Sequence, residues 1–388
     1  MRSVFLVLAV LLAVSGKPLR GQAIASDPEI RKFYLSLDTA RGDSLLNRRY
    51  SNLNPEYFRL VAMREFLQAL FHQSASGQDR FFRTSSDWID RVEDLKGNDA
   101  GRRIALAEIH IYRAVLAGLL GDYQSSGVEL LASYRVVSRW GSDWAAPDLR
   151  RLSGILGVLL EQVPDPWRKW LPLLGVRASG MSGFSGLERY YSGAPEGSAD
   201  RLEGYLLLIT ALREFDDDPG AARSFALSEG ELYLDNPLVA YQSAMAALKA
   251  GECRTAENIL TRLEEEPGAH IPYCRYQLGR CLVYLDRPEG RQMLESFALD
   301  HPEEGFRHSA LLFAAWYAVI HGDSAGAEQN FMKIREFPEP LTVYDRQALR
   351  LASTGQLPDT GLLRARLLLD GGFYAKCIEE SKRLVESG

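Results

Sequence analysis

Apolar residues along this chain recur at intervals of three and four, and alternating β-branched runs are absent. That period predicts helix over nearly the whole sequence. Residues 104–120, IALAEIHIYRAVLAGLL, read as a helix buried on most sides, and 202–215 and 306–321 read the same way. A longer pattern lies over the helical one. Around Gly251 there is Ala244 seven residues before, Ala256 five after, Leu260 nine after, Leu263 twelve after and Pro267 sixteen after. Around Gly322 the same offsets give Ala315, Ala327, Phe331, Ile334 and Pro338, and the two glycines lie 71 residues apart.

The residue types at these offsets describe a helical hairpin. Glycine suits a short turn because it adopts positive φ at little cost. Only Ala, Gly, Ser or Cys fits where two helices cross closely, and larger apolar residues fill the groove to the next hairpin. A proline then sets the helix boundary. Between the two good copies lies YQLGRCLVYLDRPEGRQMLESFALDHP. Its Leu278-Gly279 suits the close crossing. Its second helix fits if the turn is one residue shorter, which places Gly290, Leu294, Phe297 and Pro302. Residues 237–338 therefore predict three consecutive hairpins. Weaker copies surround Gly372, with Ala365, Cys377 and Leu384, and Gly121, with Ala114, Ser126 and Leu130.

This spacing resembles the tetratricopeptide repeat, whose period is about 34 residues. Leu-Gly-Asp-Tyr at 120–123 and the Gly/Ala/Phe set around Gly322 look like its consensus, while the consensus tryptophan of the first helix is missing from every copy. The resemblance implies an all-α fold: a right-handed α-solenoid of about eight or nine tetratricopeptide-like hairpins, irregular in the middle. It also implies a concave groove lined by first helices, where a protein or peptide partner would lie. On the three firm hairpins that face carries Tyr241 and Met245, then Tyr273, Tyr276 and Arg280, then Leu312 and Trp316, and Arg366 continues it. Tyr, Trp, Met and Arg are enriched at the centres of interfaces. Some of these residues are expected to pack between hairpins instead.

Residues 160–190 break the period. Pro-Asp-Pro-Trp, Leu-Pro-Leu-Leu-Gly, a Gly/Ser-rich turn and Gly-Leu follow one another. This order is similar to the middle of the outer-membrane tetratricopeptide-like family that includes the inclusion-body clearance proteins. The similarity covers about thirty residues, and only architecture is carried over from it. Trp167 and Trp170 beside Arg168 and Lys169 are candidate membrane-interface residues, with packing onto adjacent hairpins as the preferred alternative. The expected organisation is a signal peptide at 1–23, divergent hairpins at 24–160, an irregular Gly-rich connector at 161–200 and a C-terminal array at 201–388.

The signal peptide rests on Met1-Arg2, the apolar run Val4–Val14 and the small residues of Gly21-Gln22-Ala23, with Ala25 as an alternative cleavage position. The run is too short to span a bilayer comfortably. No cysteine follows it, which excludes a lipoprotein anchor. Removing residues 1–23 takes away Arg2, Lys17 and Arg20 and no acid, so the formal charge moves from −6 to −9. Basic and acidic residues are mixed along the chain, and nothing points to nucleic acid. An exported protein with four cysteines can form disulfides. Cys274 and Cys281, seven apart on one helix, sit about 10 Å apart by helical rise. Cys253 with Cys281, across neighbouring hairpins, is the better-placed pair, although four small buried thiols is the preferred reading.

Motifs for chemistry are scarce. None of the six histidines has metal spacing. His110 reads as a hydrogen-bonded core residue, and His301 and His308 as capping or exposed. GMSGFSG at 180–186 is not a nucleophile elbow, no phosphate loop occurs, and the acidic runs 216–218 and 264–266 read as solvated helix ends. No catalytic residue, metal site or cofactor is expected. The sequence thus points to an exported, non-catalytic scaffold in the periplasm or cell envelope that binds a protein or peptide. The alternatives are an envelope assembly subunit with peripheral membrane association through 160–190, and an all-α glycan-acting enzyme with paired carboxylates in a cleft.

Overall fold

The computed structural model describes residues 27–72, 74–97, 99–139, 146–163, 168–169, 171–176, 181–230, 235–266, 271–301 and 305–387. The signal segment 1–23, Ala25, Trp167, Trp170, Pro267 and Pro302 lie outside the described residues. Nineteen α-helices and one short 3-10 helix form among them, with no strand. None of these helices is long and apolar enough to cross a membrane.

The chain divides into two compact units. One comprises residues up to 70 together with 78–217, the other 71–77 together with 218–388. The division falls inside the acidic run Asp216–Asp218, whereas the sequence placed its connector at 161–200.

The first unit holds α1 (Pro28–Leu35), α2 (Thr39–Arg49), most of α3 (Pro55–His72) and α4 (Ala75–Asp94), then α5 (Asp99–Leu119), α6 (Tyr123–Ser138), α7 (Pro147–Glu161), a 3-10 turn (Leu171–Leu174), α8 (Gly183–Gly193) and α9 (Ala199–Phe215). Side chains fix the helix starts. Asp27 accepts from the amides of Glu29 and Ile30, Asp122 from Ser125, and Ser198 from Arg201, each satisfying donors that have no partner inside the helix. Helix α5 pairs with α6, α7 with α8 and α8 with α9, and α9 returns to pack on α1. The Gly/Ser-rich segment is not simply a turn: from Gly183 onward it is helix. Its glycines allow close crossing, because a Cβ on Gly157 would stand 2.6 Å from the Gly183 Cα, and one on Gly186 would stand 3.1 Å from the Gly154 Cα.

The second unit holds α10 (Ala221–Glu229), α11 (Pro237–Lys249), α12 (Cys253–Glu265), α13 (Pro272–Tyr284), α14 (Pro288–Asp300), α15 (Arg307–Ile320), α16 (Ser324–Glu336), α17 (Val343–Ser353), α18 (Thr360–Asp370) and α19 (Tyr374–Ser387). Successive helices α11 to α16 pack on one another, giving three consecutive hairpins over 237–336. The small and large positions read from the sequence are interior: Ala244, Ala256, Leu260, Leu263, Leu294, Phe297, Ala315, Ala327, Phe331 and Ile334 are all at most 5 % exposed. The weaker copy around Gly372 differs, with Ala365, Cys377 and Leu384 only half-buried.

One turn geometry recurs in both units. Leu37, Gly121, Gly251, Asp286, Gly322 and Gly372 all take φ between 60° and 80°. In each case the next residue's amide donates to the carbonyl five residues before it, at 2.8–2.9 Å, as Asp38 does to Phe33, Asp122 to Ala117, Glu252 to Ala247, Arg287 to Leu282, Asp323 to Ala318 and Phe373 to Leu368. This is the left-handed helix stop that satisfies the last carbonyls. The following helix begins two residues after the left-handed residue every time. In the middle hairpin of 237–336 Asp286 stands where the two flanking hairpins have Gly251 and Gly322. Its second helix buries Gly290, Leu294 and Phe297 one position early, which accounts for the turn that reads one residue short. Gly279 and Gly290 make that crossing close: a Cβ on Gly290 would lie 2.9 Å from the Gly279 carbonyl oxygen.

Candidate functional site

The eight residues of the expected groove all lie in the second unit, on α11, α13, α15 and α18. Tyr241 and Met245 are buried, and Tyr241 meets the ring of Phe71 edge-on at 6.1 Å. Tyr273 meets Phe306 edge-on. Tyr276 is 1 % exposed, and its hydroxyl bonds Ser309 Oγ at 2.8 Å. Burial pushes that phenol up to about 12, so it stays neutral. Arg280 is half-buried and donates to Gln277 at 2.9 Å and to the Tyr284 hydroxyl at 2.7 Å, with its guanidinium 4.9 Å from the centre of the Phe313 ring. Leu312 is buried, while Trp316 is half-buried and edge-on to Phe313. These side chains mostly join neighbouring hairpins, as part of the set was expected to do.

The last hairpin covers some of the same face. Helix α18 packs on α13 and α15. It inserts Leu363 beside Ala318 and Val319, next to Trp316 and Ile320, and Leu363 and Leu367 are each 5 % exposed. Arg366 faces outward, ion-paired with Asp370 at 2.8 Å. On its side stand Leu362 and Leu369, four residues before and three after, 65 % and 50 % exposed. Positions at this spacing share one helix face. Helix α19 adds exposed Tyr374, Ile378 and Val385. The α18–α19 hairpin thus leaves five large apolar side chains exposed among charged ones.

The first unit contains a constellation that the sequence reading missed. Arg59 on α3 donates to Glu56, to Glu108 on α5 at 2.7 Å and to Asp148 on α7 at 2.9 Å. Arg151, one turn along α7, reaches Glu108 and Asp148 as well as Glu203 on α9 at 2.6 Å. Arg31 on α1 contacts Glu203 and Asp200, and the Tyr190 hydroxyl of α8 bridges to Asp200 and Glu203. Except for Asp200, the ionised side chains here are at most 8 % exposed. The network joins six helices, α1, α3, α5, α7, α8 and α9.

Its electrostatics are those of paired charges. Burial alone would raise the Glu108 carboxyl, but Arg151 and Arg59 outweigh it and hold the group below its ordinary value. Asp148 is held down in the same way by Arg59, Arg151 and Arg31. Burial likewise opposes charge on Arg59, and Asp148, Glu108 and Glu56 restore it with a margin. A usable signal was present in the sequence. Glu108 interrupts IALAEIHIY, Arg151 precedes LSGILGVLL and Glu203 precedes GYLLLI. A charge in phase with the buried stripe of a helix needs a buried partner.

Other candidates have ordinary roles. His110 Nδ1 lies 2.6 Å from Glu129 Oε2, as a hydrogen-bonded interior histidine should. His308, expected to cap or to face solvent, is instead 4 % exposed beside Asp345, because it opens a helix that is buried almost all round. Ser182 bonds Ser153, and Ser185 donates to the Ser182 carbonyl. Among the described residues no group of three or more His, Cys, Asp or Glu could hold a metal. No protein-family model, curated protein or solved structure matches the chain.

Proposed function

We propose that this chain is an exported, non-catalytic scaffold of tetratricopeptide-like hairpins, stacked as a right-handed α-solenoid, that binds a protein or peptide. The observation that carries this reading is the repeated stop-and-restart. Six turns have a residue in the same left-handed conformation, the same backbone bond and the same two-residue step to the next helix. Three of them lie within consecutive hairpins of the second unit, each linking that hairpin's two helices. Such arrays present extended surfaces suited to binding.

The pairing of carboxylates in the first unit also supports a non-catalytic role. A glycan-acting enzyme uses one carboxyl held up as an acid and one free carboxylate. Here Glu108 and Asp148 are both bound to arginines and held down. Export rests on the leader at 1–23 and predicts a processed protein in the periplasm or envelope.

For the binding face, the structure moves attention along the expected groove. Tyr276 and Arg280 are engaged inside the protein, whereas Trp316 is half-exposed and Arg366 is flanked by exposed Leu362 and Leu369. The test is pull-down with the processed chain and with Trp316→Ala and Leu362→Asp/Leu369→Asp variants that keep wild-type circular dichroism. Loss of the same partner from these variants is expected. Retention of every partner by well-folded variants overturns the assignment of the face. Intact-mass measurement after cell fractionation tests export, and a full-length chain in the cytosol refutes it.

A further inference from the structure

We propose that Cys253 and Cys281 are a dithiol–disulfide couple that locks the first firm hairpin of the second unit to the second. Cys253 is the first residue of α12, two positions after the Gly251 turn, and Cys281 lies near the end of α13. These helices pack directly on each other. The Cys253 Sγ lies 3.4 Å from the backbone carbonyl oxygen of Cys281. The two thiols also interact with each other: hydrogen bonding to Cys253, followed by burial, holds the Cys281 thiol well above its ordinary value. Both residues are at most 2 % exposed.

The other two cysteines show what an isolated thiol looks like in this unit. Cys274 is buried with its thiol pushed up to about 12, first by burial and then by Glu264. Cys377 bonds the Ala365 carbonyl within its own hairpin. Only Cys253 and Cys281 face one another across two hairpins. A disulfide requires two residues on closely packed backbone, and the Cys253 sulfur already touches the backbone of Cys281.

The reaction requires a two-electron oxidant, and a small-molecule disulfide such as oxidised glutathione supplies it. One cysteine thiolate attacks a glutathione sulfur and expels one glutathione thiolate. The second cysteine, having lost its proton, attacks the mixed disulfide at the protein sulfur and expels the second glutathione. The protein loses two protons and two electrons, and the oxidant takes them up to become two reduced thiols. Because the sulfurs are buried, the exchange takes place as the chain folds or when the start of α12 opens locally.

The bridge has a structural consequence beyond the scaffold reading and stands whether or not that reading holds. It would fix the Gly251 turn to α13, and the Gly251 turn is where the last hairpin is seated. The redox state would thereby set how firmly the second unit closes.

The test uses the full chain refolded in a glutathione redox buffer and again under dithiothreitol. Non-reducing peptide mapping of the oxidised sample is expected to show one linked pair, 253 with 281, and a loss of two hydrogen masses. Cys274 and Cys377 should remain alkylatable after denaturation. Cys274→Ser and Cys377→Ser variants should keep the linked pair, Cys253→Ser and Cys281→Ser should lack it, and the oxidised wild type should melt several degrees above the reduced form. Full alkylation of Cys253 and Cys281 in the oxidised wild type overturns the proposal, as does linkage of either residue to a different cysteine.

Discussion

Gly251 and Gly372 meet backbone to backbone. A Cβ on Gly372 would stand 2.5 Å from the carbonyl carbon of Gly251, and one on Gly251 would stand 2.9 Å from the Gly372 Cα. Both take left-handed φ, 80° and 79°. The turn of the α11–α12 hairpin is therefore seated on the turn of the α18–α19 hairpin, and the second unit closes through a contact that tolerates no side chain. Gly322 has the same conformation, φ 75°, with nothing within 4 Å of its missing Cβ.

That contrast separates backbone strain from steric exclusion. Gly322→Ala should cost about 1 kcal/mol, the penalty for a Cβ in the left-handed region. Gly372→Ala adds overlap with the Gly251 backbone and should cost roughly 2–4 kcal/mol. Urea denaturation of the two variants checks the difference, and equal losses would show that the turns do not touch in solution.

Asp286 is the reverse case, an L-residue where the other firm turns have glycine. Its φ is 60°, and its exposed carboxylate bonds His321 at 2.8 Å. An exposed pair contributes little, so relief of backbone strain should dominate. Asp286→Gly is expected to stabilise the protein by about 0.5 kcal/mol, partly offset by greater freedom of the unfolded chain. A higher denaturation midpoint with an unchanged slope confirms this outcome.

The hairpins of 237–336 were legible in the sequence because their close crossings demand small residues at fixed offsets, and few sequences satisfy such a demand by accident. Gly251, Gly322, Ala244 and Ala315 carried that signal. Asp286 hid the middle turn because aspartate can also occupy the left-handed region, and no offset rule lists it. The covering of α13 and α15 by α18 was invisible for a different reason: it depends on the contact between Gly251 and Gly372, 121 residues apart, which no local spacing encodes. The ionic network was out of reach because Arg31, Arg59, Glu108, Arg151 and Glu203 come from five helices, and a charge within an apolar stripe says that a partner exists without saying which.

Acid should open the first unit through that network. Glu108 and Asp148 have lowered values in the folded state relative to ordinary ones of 4.5 and 3.8. The unfolded chain therefore binds protons first as pH falls. Their stabilisation is complete above the ordinary carboxylate range and is lost as pH drops through the folded values. Removing one partner at neutral pH leaves buried charge unpaired, so Arg151→Met should cost about 3–5 kcal/mol. Glu108→Gln should destabilise at neutral pH and flatten the acid limb of stability against pH. An unchanged acid limb in Glu108→Gln would remove that carboxylate from the linkage.

The second unit should respond to pH at a higher value, through His308. Burial pushes its imidazole below the ordinary 6.5 and Arg307 pushes the same way, while Asp345 at 3.8 Å and a bond to the Pro338 backbone oppose them. The Phe337 ring packs edge-on against it at 5.8 Å. A histidine with a depressed folded value is neutral in the native state while the unfolded chain charges. Its stabilisation is full above about pH 6.5 and declines as pH falls toward the folded value. Urea midpoints should therefore drop between neutral and mildly acidic pH, before the carboxylates of the first unit titrate. His308→Phe removes the titrating group, and its midpoint should be level across that interval whatever its absolute stability. A variant that keeps the wild-type slope there would assign the decline to another group.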